Sequence, residues 1–177
     1  MRTMAWNDAD STMYTIVGVG SSLATLLRTT GTRFTIVGSI TGDAFSLYGL
    51  AWSGSVMYAT GAALRGSLGD RFATLDLATR VRRRVGTVSF FGVNEFQMID
   101  ITWDHTTNTL YGIGQSTDAL YTINTITGVA TRVGSANQFG VSENLPLNIA
   151  ADSAGNLLMV GTTGGCLLYT SPSPRDS

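Results

Sequence analysis

The chain has no lysine, a single histidine (His105) and a single cysteine (Cys166), and charged residues make up only 13% of it. Soluble domains usually carry about 25%. Each shortage removes a class of function. Any Ser-His-Asp triad or zinc site would have to use His105. One cysteine allows no internal disulfide and no cysteine-based metal site. A net charge of −1 offers no electrostatic case for nucleic acid or an anionic membrane surface. No run approaches the roughly 18 apolar residues of a membrane span. The first residues show no secretory leader, with neither its charged start nor its apolar stretch. Low charge, abundant threonine and no cysteine outside the last segment suit an exported bacterial β-protein, extracellular or periplasmic.

Self-similarity organises what is present. Ile101–Gly114 reads ITWDHTTNTLYGIG: an apolar strand, a polar turn and a second apolar strand. Residues 5–17, AWNDADSTMYTIV, align with it without a gap, Trp6 falling on Trp103 and Tyr14 on Tyr111. AWSGSVMYAT at 51–60 and IAADSAGNLLMVG at 149–161 repeat the pattern with shorter turns, so the anchor positions are 6, 52, 103 and 151. A second motif keeps step. Leu75-Asp76, Thr79-Arg80 and Val85-Gly86 recur forty-eight residues later as Ile123-Asn124, Thr127-Gly128 and Val133-Gly134. A third does the same, FGVNEFQMIDI at 91–101 against FGVSENLPLNI at 139–149.

Each unit therefore holds four short strands, in the third unit near 98–103, 109–115, 118–124 and 129–135. β-Branched and aromatic residues between turn clusters mark them. Four strands in about 40–50 residues predict a β-propeller blade. The expected fold is all-β, a partial β-propeller of about three full blades plus part of a fourth, with units about 3–46, 47–97, 98–145 and 146–165. Closed propellers have about 4–8 blades. An unclosed one bares a blade face at each break and is expected to associate.

Tyr-x-Ile-Asn-x-x-Thr-Gly at 121–128, trailed by Val133-Gly134, resembles the blade motif of bacterial β-propeller repeat proteins, quinoprotein-like and YVTN-like ones among them. The resemblance covers roughly residues 3–161. It implies the fold and assigns no catalytic residue, because propellers host binding, scaffolding and unrelated chemistries. The last segment, Cys166–Ser177, is unlike the rest, and through Asp176 it resembles the in-frame translation of a transposase sequencing adapter. The chain is expected to be a fragment of a longer propeller whose native sequence runs here only to about Gly165, and Cys166 to carry no chemistry. Leu168-Tyr169-Thr170 nevertheless falls forty-eight residues after Leu120-Tyr121-Thr122 and mimics a third strand.

Most polar candidates read as turn chemistry. Gly18–Leu23, GVGSSL, lacks the third glycine and the following helix of a phosphate loop and reads as a hairpin turn. His105 lies in a turn whose counterparts are Asp8, Gly54 and Ser153. Asn7–Ser11, NDADS, has the composition of a calcium loop, but its counterpart Ser53-Gly54-Ser55 has no carboxylate. Asx and Ser side chains favour turns on their own account. Arg80, Arg82, Arg83 and Arg84 fall on the outermost strand of a blade, where charge deters edge-to-edge pairing; an anionic polysaccharide or phosphate is the alternative. Trp6, Trp52 and Trp103 share one repeat position, for inter-blade packing or for stacking on sugars.

The links between units carry the sharpest candidate. Glu95, Asp100, Glu143 and Asn148 recur just before the apolar strand that borders the central channel, so they are expected to approach one another there. Propeller hydrolases of the lactonase type place metal-binding carboxylates and amides in such links. Two Glu, an Asp and an Asn are hard oxygen ligands suited to calcium or magnesium. The link Asp43–Gly49 lacks the pattern, which leaves any ring incomplete on that side. The sequence contains no catalytic constellation. Its expected role is a binding or interaction module for a small molecule, glycan or protein; the alternative is a metal-dependent, lactonase-like hydrolase or a quinoprotein-like enzyme with catalytic groups partly in missing blades.

Overall fold

The computed structural model describes residues 3–18, 24–43, 45–63, 70–85, 98–114, 117–135, 146–161 and 166–169, and no helix occurs among them. Blade 1 is β1 (Met4–Asn7), β2 (Thr12–Val17), β3 (Thr25–Thr29) and β4 (Thr35–Ser39). A two-residue strand, β5 (Thr41–Gly42), precedes blade 2: β6 (Phe45–Trp52), β7 (Met57–Ala63), β8 (Asp70–Leu75) and β9 (Val81–Arg84). Blade 3 is β10 (Met98–Asp104), β11 (Thr109–Gly114), β12 (Ala119–Ile123) and β13 (Ala130–Val133). The fourth sheet holds β14 (Pro146–Ala151), β15 (Leu157–Gly161) and β16 (Cys166–Tyr169). Apart from β5, sequential strands within each sheet pair antiparallel, and the first blade strands β1, β6, β10 and β14 adjoin in turn. This is a partial β-propeller with those four strands innermost. The strands of blade 3 start and stop within two residues of the expected limits.

Repeated side chains build repeated turns. The residue after each anchor is Asn7, Ser53, Asp104 or Asp152, and each accepts a backbone N–H of the turn that follows: Ala9, Val56, Thr106 and Ala154 at 2.8–3.1 Å. Further out, Asp76 Oδ1 accepts from Ala78 N and Thr79 N, and Asn124 Oδ1 from Ile126 N and Thr127 N. These Asx turns reverse the chain without help from the core. Asp8 and Asp10 of the first turn bond protein donors, Trp52 Nε1 and the Tyr14 hydroxyl, both at 2.8 Å. GVGSSL joins the paired strands β2 and β3, as a hairpin connection does; residues 19–23 lie outside the described residues.

The hydrophobic cores lie between blades. Tyr14, Ile16 and Leu26 of blade 1 pack on Leu47, Leu50 and Met57 of blade 2. Tyr58 and Phe72 of blade 2 pack on Met98, Ile101 and Leu110 of blade 3. Tyr111, Ile113 and Leu120 of blade 3 pack on Ile149, Leu157 and Met159 of the fourth sheet. Alternation along each strand supplies both sets: one face meets the preceding blade and the other meets the next.

The arginine run corrects one expectation. β9 is not the outermost strand of its sheet, because β5 pairs with it in parallel, Thr41 beside Val81 and Gly42 beside Arg82. The link out of blade 1 thus covers part of an edge that would otherwise be open. Arg82 is buried rather than solvated, and burial depresses its pKa against the opposing pull of Asp43. Arg84 ion-pairs with Asp43 at 3.3 Å.

Gly42 makes the covering strand possible. Its φ is +91°, and a Cβ there would collide with the Arg82 carbonyl oxygen. Gly42→Ala is expected to cost about 1–3 kcal/mol, the usual range for a strained backbone position. Urea unfolding would show a lower midpoint at unchanged slope; an unchanged midpoint would contradict the pairing.

Candidate axial site

Each inner strand stands at the edge of its sheet, so alternate N–H groups point away from the ladder toward the preceding blade. A buried N–H needs an acceptor. The residue three places before each anchor supplies it: Thr3, Gly49, Asp100 and Asn148 in the four units. Thr3 Oγ1 of blade 1 accepts Leu50 N of blade 2 at 3.0 Å. Asp100 Oδ2 of blade 3 accepts Ile149 N of the fourth sheet at 3.1 Å. One step along, Thr102 Oγ1 accepts Ala151 N at 3.0 Å. Blade 2 offers only Gly49, and there the strands close up: a Cβ on Gly49 would lie 2.8 Å from Ile101 N and 2.6 Å from Thr60 Oγ1. Ile101 N is instead bonded by the carboxylate of Asp100.

The gap at Gly49 also lets blade 1 reach blade 3. The Thr3 hydroxyl donates to Asp100 Oδ1 at 3.1 Å, across 97 residues of sequence. Asn148 Nδ2 donates to Asp100 Oδ2 at 3.2 Å. Asp100 and Asn148 therefore meet, as their repeat position implies; Glu95 and Glu143 lie outside the described residues. Sequence reasoning missed Thr3, although it stands at the same offset from Trp6 as Asp100 does from Trp103. Among the described residues no group of three or more His, Cys, Asp and Glu is placed to hold a metal ion.

Two buried aspartates in blade 3 respond in opposite ways. Asp100 is 4% exposed. Burial pushes its carboxyl up to about 7, outweighing the hydrogen bonds from Ile149 N, Asn148, Ile101 N and Thr3 that pull it down. Asp104 is also shielded, which pushes its pKa up. Hydrogen bonds from Thr107 and Thr106 prevail and hold it below the usual range.

Farther along the same inner strands, a cavity of about 370 Å³ opens on the axis. Trp6, Trp52, Trp103, Thr102 and His105 line it, and no Asp, Glu or Arg does so among the described residues. Two of the indoles also pack on the preceding blade. Trp103 stacks on Tyr58 with ring centroids 6.1 Å apart, and Trp52 Nε1 donates to Asp8 at 2.8 Å. Gly54 stands where Asp8 stands one unit earlier, and Trp103 Nε1 finds no acceptor among the described residues. A hollow of about 430 Å³ on the flank of blade 2, between Trp52 and Arg83, involves that blade alone.

The four-stranded antiparallel sheets around a common axis define a partial β-propeller. No family model and no curated protein sequence matches the chain. Solved structures do. A chain of the nidogen/laminin complex matches with a TM-score of 0.64 at 19% identity, over 93% of this chain and 59% of that one. Streptogramin B lyase matches with 0.55 at 17% identity, over 97% and 55%. The gluconolactonase XC5397 from Xanthomonas campestris matches with 0.58 at 13% identity, over 93% and 55%. The chain spans about half the length of these structures, and at such identities the likeness is one of fold.

The pH dependence of Asp100 is a direct consequence of its setting. Unfolded, its carboxyl titrates near 3.8; folded, near 7. The folded state holds the proton more tightly, so this contribution to stability is complete below pH ~4, falls as pH rises and is lost above ~7. The span corresponds to ~4 kcal/mol at ~1.4 kcal/mol per tenfold change. Asp100→Asn mimics the neutral acid, its amide turned to Thr3 and its carbonyl to Asn148 and Ile149. It is expected to flatten the stability profile between pH 4 and 7 and to raise stability above pH 7. A profile identical to the parent's, measured by urea unfolding across pH, would contradict this.

Proposed function

We propose that this chain is part of a non-catalytic binding propeller whose axial cavity takes a neutral sugar ring. The observation that carries the reading is the three-indole lining. Indole faces stack on the C–H faces of a pyranose, and aromatic side chains combine large apolar area with fixed geometry. Thr102 and His105 supply hydrogen-bonding groups at the same cavity. The described residues that line it are mostly apolar and aromatic, which suits a neutral ligand. Cavities of roughly 300–1,000 Å³ are the usual size for small-molecule sites, and this one falls within the range. The fold alone does not decide, since the similar structures include both a laminin-complex component and enzymes.

A second reading has one observation in its favour. Asp100 and Asn148 come together on the axis. If Glu95 and Glu143 of the links joined them, the four would form a hard oxygen set for calcium or magnesium, and a metal-dependent hydrolase would follow. The two readings separate on variants. Tryptophan fluorescence titrated with neutral oligosaccharides is expected to report saturable binding, weakened about tenfold by Trp6→Ala and unchanged by Asp100→Asn. Uronate oligomers are expected to bind more weakly than neutral ones. Preference for uronates, or equal binding by Trp6→Ala, would overturn the sugar site. Calcium binding or hydrolysis abolished by Asp100→Asn would favour the enzyme.

A further inference from the structure

One side chain belongs to two cavities. Trp52 lines both the axial cavity of about 370 Å³ and the hollow of about 430 Å³ on blade 2, and among the described residues it is the only one they share. The indole is held in place: its Nε1 donates to Asp8 Oδ1 at 2.8 Å, and its ring packs on the core between blades 1 and 2. Apolar side chains line much of the hollow, Val56, Met57, Leu75 and Val81 among them. Asp76 and Arg83 are its charged residues among those described. Arg83 is exposed and pairs with Thr74 across the β8–β9 ladder. The Thr79 N–H above all, with the charge of Arg83 adding to it, holds the Asp76 carboxyl below the usual range. Acceptor and donor fork therefore stand in one hollow with no net charge. The repeat does not require this pair. Forty-eight residues on, Asn124 and Thr131 occupy the places of Asp76 and Arg83, with Thr122 opposite Thr131. Asn124 closes its turn with the same two bonds that Asp76 makes, so the turn needs no charge there.

We infer that the hollow is a second subsite of the axial site, and that the ligand is a neutral oligosaccharide whose adjoining units span Trp52. The inference rests on the sugar reading of the axial cavity and names the length of chain that reading implies. Neighbouring hydroxyls of a sugar both donate and accept. A guanidinium beside a carboxylate meets such a pair with opposite roles, and charge-assisted bonds of this kind are the stronger ones. The apolar lining meets the C–H faces of the ring. A uronate would face Asp76 as well as Arg83, so the hollow gives it no advantage over a neutral unit. Continuity with the axial cavity argues for this occupant. A unit seated among the three indoles already touches Trp52, and the next unit of the same chain enters the hollow along that side chain. Once the first unit is bound, the second binds as part of the same molecule, and its contacts add affinity without a second loss of free translation.

The test is the dependence of affinity on ligand length. Calorimetry on the full chain uses glucose, mannose and galactose and their neutral homo-oligomers of increasing length. Affinity is expected to rise about tenfold from monomer to oligomer and to level off once both cavities are filled. Arg83→Met keeps the apolar stem and removes the fork. It is expected to abolish the rise while the monomer, held in the axial cavity, binds as before. Asp76→Asn keeps the turn bonds, as Asn124 does, and is expected to remove part of the rise. Trp6→Ala is expected to weaken monomer and oligomer alike. Equal affinity for monomer and oligomer, or a rise that survives both Arg83→Met and Asp76→Asn, would overturn the second subsite and leave the axial site standing. An Arg83→Met variant that loses monomer and oligomer equally would also overturn it. Absence of binding at every length would remove the axial reading, and the second subsite with it.

Discussion

A strand at the edge of a sheet has N–H groups that point at nothing, and four such strands line the axis of this molecule. The structure satisfies them from one blade to the next. Thr3 takes Leu50 N, Asp100 takes Ile149 N, and Thr102 takes Ala151 N. In these three the acceptor is a side chain of the preceding blade, so the bond that completes one sheet also fastens it to its neighbour. Where the preceding blade offers only Gly49, Asp100 bonds the N–H of its own neighbour Ile101 and receives Thr3 from two blades away. One carboxylate therefore joins blades 1 and 3 and the fourth sheet. Its concentration of donors does not hold its pKa down, because the loss of water around it weighs more and raises the carboxyl to about 7.

The same logic governs the apolar surface. Every blade is oily on both faces, so none is stable alone and each core is an interface. A residue such as Tyr58 makes this concrete: it stacks on Phe72 within its blade, 5.5 Å between centroids, and on Trp103 of the next. Repeat architectures derive most of their stability from such nearest-neighbour contacts. The tight turns, by contrast, are local. Asn7, Ser53, Asp104 and Asp152 close their turns with bonds that reach at most four residues. Rigid local turns and shared cores together hold the Trp positions in register around the cavity.

Local features were legible in the sequence because they repeat. Strand limits in blade 3, the Asx turns and the shared Trp position all follow from residue type and spacing. The convergence of Asp100 with Asn148 was legible for the same reason, since equal offsets from an anchor come to equal places around an axis. What escaped depends on the exceptions. Thr3 stood outside the repeated link motif, and its reach to Asp100 matters because Gly49 lacks a side chain. The pairing of β5 with β9 joins the link out of blade 1 to the far edge of blade 2, a contact with no echo in the other units. It turned Arg82 from a surface charge into a buried one. The response of Asp100 to burial depends on three blades at once, which no single motif encodes.

Amide hydrogen exchange on Leu50, Ile149 and Ala151 tests the central claim most directly. These N–H groups bond only to side chains of another blade, outside the ladders of their own sheets. If the inter-blade bonds are integral to the fold, they exchange in step with interior ladder amides of blade 3 such as that of Ile113, through global unfolding. Fast local exchange at all three while the ladders stay protected would contradict the account.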